Sequence, residues 1–184
     1  LHIEGNHSYI DYNRCGVPLI EIVSKPDMSS GEEASIFMQT IREILKFIGI
    51  TDGNLEEGAM RCDANVNVRI IDGDSEFRTC ISEIKNMNSF KSIERALEYE
   101  VSRQIEMAEK GTPIIQSTLR WDDVEGKTYL MRTKENAQDY RYFPESDLSM
   151  INVSEELINN IEKTLPELLS DKKKRYIEEL KLSD

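Results

Sequence analysis

Glu56-Glu57-Gly58-Ala59-Met60-Arg61-Cys62-Asp63-Ala64-Asn65-Val66-Asn67-Val68-Arg69-Ile70 passes from an acidic, glycine-containing approach into strict alternation. Side chains of a strand alternate between its faces, so Met60, Cys62, Ala64, Val66, Val68 and Ile70 share one side and Arg61, Asp63, Asn65, Asn67 and Arg69 the other. A solvated strand face is ordinarily Thr, Ser, Lys and Glu. This one carries short, directional hydrogen-bonding groups between two arginines, the composition of a polar site wall. Beyond the turn residues Asp72-Gly73-Asp74, the run Arg78 to Asn86 makes the same offer, with Glu83 and Lys85 on one face. A hairpin sets this strand beside the first, and carboxylates, cations and amides then crowd one sheet surface.

The flanking segments complete an α+β pattern. Leu19-Ile20-Glu21-Ile22-Val23 is short, apolar and β-rich, and reads as a buried strand. Ser30 with Glu33 forms a capping box, and Ile36, Phe37, Ile41, Ile44, Leu45 and Ile48 recur at helical spacing up to Gly49. Asn88 or Ser89 caps a second helix with Ile93, Ala96, Leu97, Val101, Ile105 and Ala108 on its inner face, a charged outer face and Gly111 at its end. Ile114 to Trp121 and Lys127 to Arg132 read as strands joined by Asp123-Val124-Glu125-Gly126. From Val153 the pattern turns helical and charged: one helix starts at Ser154, Pro166 breaks it, and another runs from Ser170 to Leu180. A domain boundary is placed near Ile151, dividing residues 1–151 from 152–184.

The 184 residues carry a net charge of -12, which argues against this segment alone gripping a polyanion; Lys172-Lys173-Lys174-Arg175 is the one basic run and reads as a solvated helix face. Cys15, Cys62 and Cys80 are odd in number and widely spaced, and neither a signal peptide nor a long apolar run is present. A cytoplasmic chain with reduced thiols and no membrane segment is expected. Cys62 and Cys80 read as buried small hydrophobes rather than zinc ligands, because no CxxC or HxxxH spacing occurs. With Leu1 first, the chain reads as an excised segment whose upstream part can belong to the site.

Glu21 is the anomaly of its strand. An ionised carboxylate buried without a partner costs on the order of several kcal/mol. Paired with Arg61 or Lys85 it is a structural salt bridge; with Asp63 and Glu83 in reach it completes an oxygen-rich pocket for Mg²⁺. Arg61 and Lys85 beside those acids favour phosphate chemistry, since a metal alone needs no cations and a polyphosphate needs both. No P-loop, dinucleotide-binding glycine pattern or kinase signature is present, so a nucleotide here would bind a sheet surface through side chains. Asp139-Tyr140-Arg141-Tyr142-Phe143-Pro144 is too aromatic for a merely solvated loop, and divides between a lid anchor and ligand contacts.

Several long motifs, in one order, resemble a known family: Asp11-Tyr12-Asn13-Arg14, Pro18-Leu19-Ile20-Glu21-Ile22-Val23-Ser24, Asp52-Gly53-Asn54, Arg61-Cys62-Asp63-Ala64-Asn65, Glu83-Ile84-Lys85-Asn86 and Asp139 to Glu145. The chain is similar over nearly its whole length to the B subunits of the aspartyl/glutamyl-tRNA(Asn/Gln) amidotransferases. The resemblance implies a cradle related to glutamine synthetase and the guanidino kinases, with a mixed or antiparallel sheet and helices on one face, followed by the start of a helical domain. It implies an ATP-dependent ligase that uses Mg²⁺ and works with an A (amidase) and a C subunit as a heterotrimer on misacylated tRNA(Gln) or tRNA(Asn). Glu21 matches a metal ligand of the family, and Asp63 and Glu83 match carboxylates of the metal and nucleotide region. Arg61, Asn65, Lys85 and Asn86 lie in the matching motifs and are assigned phosphate or substrate contacts by their chemistry. The family's first strand and a Glu-Glu-Asp motif would precede Leu1, so the isolated segment is expected to be inactive and to bind tRNA weakly. Two rivals stand beside this assignment: the homologous subunit of the archaeal Glu-specific enzyme, and a non-catalytic module that docks the amidase subunit.

Overall fold

The computed structural model describes residues 2–4, 7–13, 15–133 and 146–183. A small ribbon, β1 (His2–Glu4) and β2 (His7–Tyr9), comes first and was not evident from the sequence pattern. The capping box then starts α1 (Gly31–Phe47): Ser30 Oγ accepts from the Glu33 amide, and the Glu33 carboxylate accepts from the Ser29 amide. Gly49, at φ 75°, ends it in the left-handed conformation that glycine takes without penalty.

Next come β3 (Ala64–Val66), β4 (Arg69–Asp72), β5 (Ser75–Arg78) and β6 (Ser82–Lys85). The expected hairpin exists, but in two pieces, correcting the unbroken strands 60–70 and 78–86. β3 pairs with β6, and β4 with β5, both antiparallel, around the two-residue turn Gly73-Asp74. Between the pieces two residues, Asn67 and Val68, oppose three, Thr79 to Ile81, which is a bulge that separates the two ribbons. The alternation nevertheless holds across the break: Arg61, Asp63, Asn65, Asn67 and Arg69 are exposed, whereas the residues between them are buried or half-buried.

α2 (Phe90–Glu109), capped by Ser89, carries the chain over to β7 (Ser117–Asp122), which lies parallel to β6; β8 (Lys127–Thr133) returns antiparallel. The result is a mixed four-stranded sheet in the order β3-β6-β7-β8, so the fold is α+β. α2 covers one sheet face, where Val66, Ile84, Met87, Ile93, Ala96, Leu97 and Trp121 form the core. α1 packs on α2 and adds Ala34 and Met38 to that core. α3 (Glu155–Thr164) and α4 (Leu169–Leu180) follow, flanking Pro166, and neither buries a residue.

Several expectations are corrected. Residues 19–23 form no strand among the described elements, and Leu19 is 90% exposed. An apolar run becomes a buried strand only where a neighbour offers both a ladder and a covering face, and no described element does so here. Glu21 is therefore exposed, and the burial cost assigned to it does not arise. Ile36 and Ile105 lie outside their helices' buried faces, while Glu100 and Gln104, which were not among the residues expected on the inner face of α2, are fully buried. Cys80 sits in the bulge and is exposed.

The helix pair meets through small residues. Ser35 Oγ donates to the Phe90 carbonyl, 3.1 Å away, and a Cβ on Gly31 would stand 2.6 Å from the Glu94 carbonyl oxygen. Helix propensity alone says that Gly31→Ala stabilises by up to about 1 kcal/mol. Backbone cannot swing aside as a side chain can, so we expect Gly31→Ala instead to force the helices apart and cost about 1–3 kcal/mol. Urea unfolding checks the sign: a raised midpoint would mean that the crossing yields freely.

Candidate functional site

The sheet face opposite α2 is polar, and cross-strand register assembles it. Asn65 of β3 lies opposite Glu83 of β6, Glu83 opposite Thr118 of β7, and Thr118 opposite Arg132 of β8. One row thus crosses all four strands. In the next row Lys85 pairs with Arg120, and Arg120 with Tyr129. Asp63, just before β3, reaches Lys85 by the same register.

Lys85 is the hub. Its Nζ donates to Asp63 Oδ2 and lies 2.9 Å from Glu83 Oε1. The Asp63, Lys85 and Glu83 side chains are 51%, 31% and 17% exposed, so the cluster is shielded on one side and reachable from the other. Burial alone would lower the Lys85 pKa, but hydrogen bonds to Asp63 and Glu83 and their negative charges outweigh it and hold the ammonium above its ordinary range. Lys85 is accordingly a fixed cation at neutral pH, suited to an anion and unsuited to act as a base. Thr118 Oγ1 donates to Glu83 Oε2 at 2.9 Å and accepts from Arg132 Nε at 3.4 Å.

The other expected residues divide. Asn65 is exposed beside Glu83, and Arg61 is exposed without a hydrogen bond or ion pair among the described residues. Asn86 takes a left-handed backbone, φ 69°, and donates its amide to the Trp121 carbonyl at 3.1 Å, which ties the end of β6 to β7. Glu21 lies on the exposed segment, and among the described residues no three His, Cys, Asp or Glu side chains converge as a metal group. Asp139 to Glu145 and Arg14 fall outside the described residues. Thr118, Arg120 and Arg132 join the face without having been singled out as its members. The signal for Thr118 and Arg120 was the alternation of Ser117 to Asp122, but only the parallel pairing with β6 shows which strand they meet, and Arg132 joins through the antiparallel pairing of β8 with β7.

The far end of the second row is self-paired: Arg120 lies 3.2 Å from Asp122 and stacks over Tyr129, 4.7 Å from the ring centre. Cys62, on the opposite face, is no nucleophile. Burial, and then the charge of Asp63, push its thiol up to about 11, which keeps it protonated. The face therefore offers a cation between carboxylates, amides and further guanidinium groups, which suits binding and electrostatic work rather than covalent catalysis.

The family model described as GatB/GatE catalytic domain matches residues 1–159. A Treponema denticola protein, named as the B subunit of an aspartyl/glutamyl-tRNA(Asn/Gln) amidotransferase, is 57% identical over 189 residues, taking in 100% of this chain and 38% of that protein. The like-named proteins of Crocosphaera subtropica and Thermodesulfovibrio yellowstonii are 53% and 52% identical, over 96% and 97% of this chain and 35% and 37% of theirs. The chain thus spans between 35% and 38% of the length of these curated relatives.

Proposed function

Because the chain belongs to the GatB/GatE catalytic-domain family, and its relatives are named as B subunits of a tRNA amidotransferase, we propose that the open sheet face is part of the site that phosphorylates a misacylated tRNA. ATP transfers its γ-phosphoryl group to the side-chain carboxylate of Glu on tRNA(Gln) or Asp on tRNA(Asn), releasing ADP. Ammonia, set free from glutamine by the A subunit, then attacks the acyl phosphate; phosphate leaves and the amide remains. The C subunit completes the assembly, and the cytoplasm is its place. The names of the relatives favour this over the archaeal Glu-specific enzyme.

The observation that supports the reading is Lys85, held cationic between Asp63 and Glu83 on an open face. Phosphoryl transfer asks a protein chiefly for position and charge, and an ammonium with two anionic partners can turn toward a phosphate while keeping one of them. Asn65, beside Glu83, and Arg61, which is exposed, supply further donors for phosphate or the aminoacyl group. Mg²⁺ entering on nucleotide phosphates needs only one or two protein carboxylates, and Asp63 with Glu83 is such a set; Glu21 is the third carboxylate that the family resemblance adds. When bound, the metal would neutralise phosphate charge and polarise the transferred group.

Asp63→Asn in the complete B subunit, assembled with A and C, tests this directly. With γ-labelled ATP and misacylated tRNA but no glutamine, label transfer is expected to fall about a hundredfold. Undiminished transfer would mean that the face only docks a partner.

A further inference from the structure

We propose that Thr118 is a positioning residue of this site: its hydroxyl sets the direction of the Glu83 carboxylate and couples it to Arg132. This rests on the functional reading above and deepens it. Thr118 is 1% exposed, its short side chain roofed by the longer ones of Glu83 and Arg132 in the same row. Its Oγ1 lies 2.9 Å from Glu83 Oε2 and 3.4 Å from Arg132 Nε.

Donor chemistry fixes the direction of both bonds. A guanidinium has no acceptor, so Thr118 must accept from Arg132; its one proton is then left for Glu83. The second Glu83 oxygen, Oε1, faces Lys85 at 2.9 Å. Each carboxylate oxygen is thus held from a different direction, by Lys85 along the strand and by Thr118 across it. The same hydroxyl holds Arg132, a second cation, on the sheet face that carries Lys85. Strand formation does not require that hydroxyl, because valine has the same β-branched outline and β propensity. Water cannot readily replace it at a position this buried.

The test uses the complete B subunit assembled with A and C. Thr118→Val should lower kcat for ATP-dependent amidation about ten- to a hundredfold, the range for a lost hydrogen bond to a charged group. KM for ATP should change by less than about threefold, because misdirected groups weaken the transition state more than ground-state binding. Thr118→Ser, which restores the hydroxyl, should recover kcat to within about threefold, and glutamine hydrolysis should be untouched in both. If Thr118→Val does not assemble, Thr118→Ala is measured for the same split. Unchanged kcat without the hydroxyl, or a serine variant as impaired as the valine one, overturns the inference. Asp63→Asn in the same assay separates the two levels: if it is impaired while Thr118→Val is not, only the role of Thr118 falls; if it is fully active, the reading of the whole face falls.

Discussion

Lys85→Ala, in a complete B subunit assembled with its A and C partners, is expected to cut phosphorylation of the misacylated tRNA by about a hundred- to a thousandfold while glutamine hydrolysis by the A subunit continues. That magnitude is typical of removing one preorganised charge aimed at a group whose charge develops in the transition state. Two further observations sharpen the expectation. Lys85 is held protonated by Asp63 and Glu83, so what the substitution removes is a permanent positive charge rather than a titrating base. Its loss also removes the cation that Asp63 and Glu83 share, so the face becomes more negative and repels phosphate as well as failing to attract it. Lys85→Arg is the informative companion, since it keeps the charge but replaces a compact ammonium by a planar fork of different reach and hydrogen-bond geometry. We expect arginine to rescue binding of ATP better than turnover. Equal loss of glutamine hydrolysis and phosphorylation in Lys85→Ala would point to failed assembly.

The residues around Lys85 show how far a sequence carries such a site. Alternation from Met60 to Ile70 assigned faces correctly even where the ladder breaks, because burial follows the period of the chain and not the hydrogen-bond count. The Asp72-Gly73-Asp74 turn then set Glu83 and Lys85 beside Asp63 and Asn65, since a short hairpin leaves little freedom of register. Thr118 and Arg132 were beyond reach for a related reason. They arrive through a parallel pairing that crosses over by way of α2, and no local pattern states which residue of β7 will meet Glu83.

The bulge explains why two polar residues of α2 lie in the core. It leaves backbone groups around Val66 and Val68 without ladder partners, and buried groups of that kind must find others. The Val66 carbonyl accepts from Gln104 Nε2 at 3.3 Å, and the Val68 amide donates to Thr79 Oγ1 at 2.8 Å, which itself bonds Gln104 Oε1. Gln104 therefore belongs inside, and Glu100, one turn earlier, is drawn in with it. A helical wheel places both among Ile93, Ala96, Leu97 and Ala108 on the inner face; only their polarity kept them out of the expected core, because the sequence does not show that the sheet below has unmet backbone groups. The exposed segment 19–23 is the converse case: apolar composition without a described neighbour to cover it.

That buried pair carries the largest stability effect expected in this chain. The Glu100 side chain is 0% exposed, and its oxygens accept from Arg103 at 2.9 and 2.6 Å, Gln104 at 3.0 Å and Thr128 at 3.3 Å. Glu100→Ala strands those donors. Arg103 is 28% exposed and can turn to water, so the expected cost is about 2–4 kcal/mol, somewhat below that of a wholly buried broken pair. Against a domain stability of about 5–15 kcal/mol, that is enough to shift a urea midpoint plainly. The pH dependence gives a second check. Burial pushes the Glu100 pKa up, but the hydrogen bonds from Arg103, Gln104 and Ser82, with the Arg103 charge, outweigh it and leave the carboxyl below its ordinary 4.5. A group whose folded pKa is depressed stabilises fully above its unfolded value and loses that contribution as pH falls through the folded one. Glu100→Gln resembles the protonated acid, so its deficit relative to wild type should be constant above about pH 6 and shrink steadily in acid, below 4.5. A deficit that stays level into acid would mean that the charge of Glu100 contributes nothing and that its neighbours need only its shape.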